Sequence, residues 1–235
     1  PDSHASRPLT TRQRADLLVQ CPPPMRRGAA LVVLAILAQW RVAAAQDERP
    51  PIGPFVVDVR ATFPRFPDEQ ALAESRALVP GELPGRGVGF DAGAHVYLFT
   101  WKAMTLGVGG QITLARARIS PTAESGLRAV TERVSSIAPQ VSFNFGTGDG
   151  WSYLSAGIGT TQWSVVPDGQ APGPADEERL LTFNYGGGAR WFSNRHVAFT
   201  FDVRFHAIDA GTVFPGRPGG PRTRLLTMGA GISVK

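Results

Sequence analysis

Eight side chains bring acid, base and fixed cation into one chain: Asp58, Arg60, Asp91, His95, Arg190, Asp202, Arg204 and His206. His206 with Asp202 or Asp209 has the makings of a general base and its orienting carboxylate. Such a pair needs a nucleophile within hydrogen-bond reach, and the sequence indicates none. The four histidines follow no metal-ligand spacing. Cys21 is the one cysteine, so the chain downstream of it has no thiol nucleophile, thiolate metal site or disulfide. The Gly-x-Gly clusters at Gly107, Gly157, Gly186 and Gly229 sit inside alternating segments with no helix after them, unlike phosphate-binding loops. No catalytic, metal or cofactor site is expected.

Each of the eight residues falls on the polar side of a segment in which large apolar residues recur at every second position, the period of a strand. The clearest segment sets Val88, Phe90, Ala92, Ala94, Val96 and Leu98 against Gly87, Gly89, Asp91, Gly93, His95 and Tyr97. Strands are expected at 54–63, 87–99, 103–119, 130–145, 150–165, 180–192, 195–208 and 223–235. Their second face is Gly, Ser, Thr, Asn and Gln with a few charges of both signs. A soluble sandwich would carry Lys and Glu on its outer face; a narrow barrel in lipid packs small polar residues inside and apolar ones outside. Pro139 lies on the apolar side of the fourth strand, where its missing N–H costs a ladder bond.

The connections fall into two classes. Those at 101–102, 146–150 and 193–195 are short and include Gly-, Asn- and Asp-rich turns. Those at 65–84, 120–129, 167–178 and 209–222 are long and rich in Pro, Gly and charge. This predicts an all-β, eight-stranded antiparallel up-and-down transmembrane β-barrel over 54–235, with short turns at the periplasmic end and long loops outside. Trp101, Trp151, Tyr153 and Trp191 lie at or beside the short turns, where an aromatic girdle at the membrane interface is expected. The eight charged and imidazole residues above then become a lumen network, with interior Arg and Asp paired because unpaired buried charge is costly.

Upstream, Met25-Arg26-Arg27, the apolar run 28–37 and Ala43-Ala44-Ala45 have the layout of a signal peptide, a helix over 25–45 cleaved before Gln46. Residues 1–24 read as an upstream or disordered extension, and 46–53 as a linker. Six of the 24 basic and two of the 19 acidic residues lie in 1–45, which leaves 18 and 17. The high isoelectric point therefore belongs mostly to the presequence, and no nucleic-acid partner is implied.

The segment 54–235 resembles the small eight-stranded outer-membrane β-barrels of Gram-negative bacteria, the family related to the transmembrane domain of outer membrane protein A. The last strand carries the likeness most closely: Gly229, Ile232 and Val234 resemble the family's C-terminal assembly signal, with Ile and Val where aromatics are usual and Lys235 after them. The resemblance implies an outer-membrane location, contact with outer-membrane lipids, recognition by the insertion machinery and a monomer. The expected function is structural, or interaction with an extracellular partner through the loops, with a charge-plugged lumen and no enzymatic activity. The alternatives are a small-solute or ion pore, a lipid-modifying enzyme, and a soluble lipocalin-like periplasmic barrel.

Overall fold

Alternating segments gain most by pairing side by side and closing, because a closed sheet leaves no unpaired edge. The computed structural model describes residues 51–120 and 124–235. Eight strands follow in chain order: β1 Phe55–Arg65, β2 Gly87–Trp101, β3 Met104–Ile119, β4 Val130–Thr147, β5 Gly150–Pro167, β6 Arg179–Phe192, β7 Val197–Ile208 and β8 Thr223–Val234. Each pairs antiparallel with its neighbour in sequence, and β8 returns to β1, so the barrel is closed and up-and-down. The expected extension, signal peptide and first part of the linker lie outside the described residues. Ile52, near the linker's end, is buried against Val56 and Trp151 at the turn end of the barrel.

The short connections are tighter than the sequence suggests. β4 and β5 run on until Thr147 pairs with Gly150, leaving Gly148-Asp149 as the turn. Before β7, the Asn194 side-chain oxygen accepts from the backbone N–H groups of His196 and Val197, both at 2.9 Å, so the chain turns there and the strand starts at Val197 instead of Arg195. The β2–β3 register shifts between Tyr97 and Phe99, a bulge that turns both Leu98 and Phe99 outward and breaks strict alternation. Pro139 stays within β4, and the β4–β5 ladder skips Ala138 and Pro139 before resuming in the same register.

The long connections are folded. The β1–β2 loop carries helix α1, Gln70–Ser75, and a 3-10 turn at Pro80–Glu82; the β5–β6 loop carries helix α2, Pro174–Glu177. Leu72, Leu78 and Leu83 give the first loop an apolar face, which it buries with Phe66, Trp163, Val165, Ile208 and Leu225 at the loop-end mouth. A smaller apolar layer of Ile52, Val56 and Trp151, joined by Tyr97 and Phe192, packs inside the turn end.

Candidate functional site

Between the two apolar layers the lumen is polar. Asp58 on β1 accepts two hydrogen bonds from Arg190 on β6, at 2.8 and 2.5 Å, and a third from the Ser233 hydroxyl. Arg60 donates to Asp91 on β2 at 2.6 Å and to the Tyr153 hydroxyl on β5 at 3.2 Å. Tyr153 in turn donates to Asp202 on β7 at 2.7 Å, and Arg204 holds the same carboxylate while also reaching Ser155. Gln111 and Thr113 on β3 donate to Asp91, and Gln140 on β4 links Gln111 to Asn184 on β6. Three carboxylates thus face three guanidinium groups through a web that touches every strand, and all six charged residues are buried.

His95 and His206 also point inward and are buried, but their ring nitrogens have no hydrogen-bond partner among the described residues. The drawn pair of His206 with Asp202 is not assembled, because Arg204 and Tyr153 occupy the Asp202 oxygens. Asp209 lies beyond the end of β7, paired with Arg222 in the loop. No group of three or more His, Cys, Asp or Glu suited to a metal occurs among the described residues.

Two of the four expected interface aromatics are corrected. Trp101 and Trp191 face outward at the turn end, 62% and 56% exposed, whereas Trp151 and Tyr153 face the lumen at 3% each. Parity is the reason: positions 151 and 153 share the face of Ser155, while Leu154 and Ile158 take the outer wall. Inside, the Arg190 guanidinium lies 4.0 Å from the Tyr153 ring centroid, a cation–π contact that supplements its ion pair. Trp151 stacks on Phe192 with ring centroids 4.9 Å apart. In β8, Ile232 and Val234 face outward, and Gly229 lies opposite Thr62 and Asp202.

The sequence reading also missed Glu132, fully buried at the loop end of β4, where it accepts from the Trp163 indole N–H at 2.7 Å. Its face was readable, since it shares parity with Ser136 and Gln140. The loop clamp was not readable. Glu82 accepts from the Arg128 side chain at 2.8 Å through both oxygens and from the Arg128 backbone N–H, tying the β1–β2 loop to the β3–β4 loop. Hydrogen bonding to Arg128 holds the Glu82 carboxyl down at about 2, against an ordinary value of 4.5. Arg76, just after α1, donates to the Trp163 carbonyl and faces Asp176 of α2. Glu178 accepts from the Thr212 backbone N–H, joining the last two long loops.

The outer wall inverts this chemistry. Phe63, Val88, Phe90, Val96, Leu114, Ile137, Leu154, Ile158, Phe183, Phe199 and Ile232 all stand exposed around it. Such a wall suits a nonpolar surrounding. No protein-family model and no curated protein matches the chain. Among solved structures, it is similar to Neisserial surface protein A at 15% identity and a TM-score of 0.49, covering 78% of this chain and 97% of that one. It is similar to Ail, the attachment invasion locus protein of Yersinia pestis, at 12% identity and 0.47–0.48 in two structures, with coverage of 77% and 95–96%. OprG of Pseudomonas aeruginosa is similar at 10% and 0.43, with coverage of 80% and 98%. Fold and site together define the class: a closed eight-stranded up-and-down β-barrel, polar and charge-paired within, apolar without.

Proposed function

We propose that this chain is an integral outer-membrane protein of a Gram-negative-type bacterium, a sealed and non-enzymatic scaffold whose loops carry a structural or interactive role at the cell surface. The supporting observation is the inversion of polarity: large apolar side chains stand exposed around the whole wall while Asp58, Arg60, Asp91, Arg190, Asp202 and Arg204 are buried within. A soluble lipocalin-like barrel needs the opposite arrangement. The lumen network and the apolar layers at both ends favour a plug over a solute path, and among the described residues the ring nitrogens of His95 and His206 have no carboxylate to orient them. The packed loops, joined through Glu82–Arg128 and Glu178–Thr212, present a shaped surface instead of four independent tails. Contact with the insertion machinery through Gly229, Ile232 and Val234 and a monomeric state belong to the same reading.

Cell fractionation with a gel run before and after boiling tests it. The protein is expected in the outer-membrane fraction, with a mobility shift on boiling. Recovery in the soluble fraction with no shift would contradict the membrane reading.

A further inference from the structure

The outer wall changes chemistry abruptly at its loop end. On β3 the outward residues Met104, Leu106, Val108, Ile112 and Leu114 give way to Arg116; on β4, Arg133 is followed by Ser135, Ile137, Val141 and Phe143. Residues 104–114 and 135–145 each match the roughly 9–11 that a tilted strand needs to cross hydrocarbon, so both arginines stand at its border. Arg65, Arg86, Arg179 and Arg224 occupy the corresponding border of β1, β2, β6 and β8, all exposed.

This edge includes two like-charge oppositions. Arg116 lies directly across from Arg133, and Arg65 from Arg86. Such pairs destabilise a sheet unless an anion sits between them. Among the described residues, no carboxylate is within ion-pair distance of these four. Asp168, on the neighbouring surface, is already held by Arg118 at 2.5 Å. An independent feature adjoins the first pair: a shallow, open, largely apolar depression on the wall lined by Val88, Phe90, Leu114 and Ser135, with Arg116 and Arg133 on its loop-end side. Ser135 faces Leu114 across the ladder and is too small to fill the space between its larger neighbours.

From this juxtaposition the geometry points to a binding site for a phosphorylated, acylated lipid of the leaflet at the loop end, with an acyl chain in the depression and a phosphate bridging Arg116 and Arg133. The inference rests on the outer-membrane reading above. Guanidinium groups suit it because their planar donors engage phosphate oxygens in pairs. The phosphate would also remove the Arg–Arg repulsion, so binding is coupled to the stability of the β3–β4 edge.

Native mass spectrometry of the intact barrel, released from mild detergent, tests the site with bis-phosphorylated lipid A, dephosphorylated lipid A and inorganic phosphate as probes. Lipid A is expected to be retained, the dephosphorylated form to be lost, and inorganic phosphate not to displace lipid A at equal concentration. Retention should fall about tenfold or more in R116Q/R133Q, fall also in the depression-filling S135F, and stay unchanged in R179Q on β6. Equal retention of the dephosphorylated lipid, or no loss in both R116Q/R133Q and S135F, would overturn the site. A barrel that shifts on boiling yet retains no lipid A would overturn it while leaving the membrane reading intact; a chain with no boiling shift would overturn both.

Discussion

Asp58 holds Arg190 through two hydrogen bonds, and its removal strands that guanidinium in a site where water has little access. Asp58→Asn is therefore expected to cost about 3–5 kcal/mol, the usual penalty for breaking one side of a buried pair. Replacing both partners, as in D58L/R190M, should cost less than the single change, and urea unfolding in micelles reads the difference. A second contrast concerns the lumen glycines. A Cβ on Gly188 would stand 2.8 Å from the Tyr153 hydroxyl and against the Phe201 carbonyl, whereas one on Gly229 would meet the Thr62 methyl at 3.2 Å, the Ala61 carbonyl at 3.3 Å and the Arg60 Cβ at 3.5 Å. Gly188→Ala should lower the unfolding midpoint more than Gly229→Ala, because only the first displaces the Tyr153–Asp202 bond. Parity in the sequence places Asp58, Arg60, Asp91, Arg190, Asp202 and Arg204 on one face, but it cannot say which carboxylate meets which guanidinium. That depends on closure: Asp58 and Arg190 are 132 positions apart and meet only across the lumen. Trp151 and Tyr153 show that nearness to a turn is a weaker guide to facing than parity with the strand's own glycines and serines.

At the scale of elements, the strands are legible because alternation and ladder pairing are local consequences of the same period. The loops are less so. Their helices form to bury a few leucines against residues far away in sequence, and Leu72 reaches the layer of Trp163 and Leu225 only once the barrel exists. The bulge at Leu98 is likewise invisible to a strict alternation, since it adds one outward residue without a turn signal. The Glu82–Arg128 clamp gives the loop end a pH dependence with a definite sign. The Glu82 carboxyl is depressed from 4.5 to about 2 in the folded loop, so the clamp contributes fully above about pH 4.5 and is lost as pH falls towards about 2. Protection of the amides of residues 66–86, taken relative to the intrinsic exchange rate at each pH, should fall across that window in the native protein. In Glu82→Gln, that protection should already be low at neutral pH and nearly independent of pH; a profile like that of the native protein would show that the clamp does not hold the loop.

The barrel is a wall with three interior layers: apolar at the turn end, charge-paired in the middle, apolar again beneath the folded loops. Eight strands enclose a bore that side chains can fill. The layered filling explains why a chain with a modest net charge keeps several buried ions: they are neutralised within the barrel, while exposed arginines with no ion-pair partner among the described residues stand outside at its border. In the proposed function, scaffold and surface are thereby separated: paired charges pack the lumen, and the loops and rim are left for contact with other molecules. The most direct test is the conductance of planar bilayers carrying the refolded barrel, with its folded state verified by the mobility shift on boiling. A sealed membrane scaffold predicts stable incorporation with no current above that of the bare bilayer. A steady, reproducible single-channel conductance from the folded protein would contradict it.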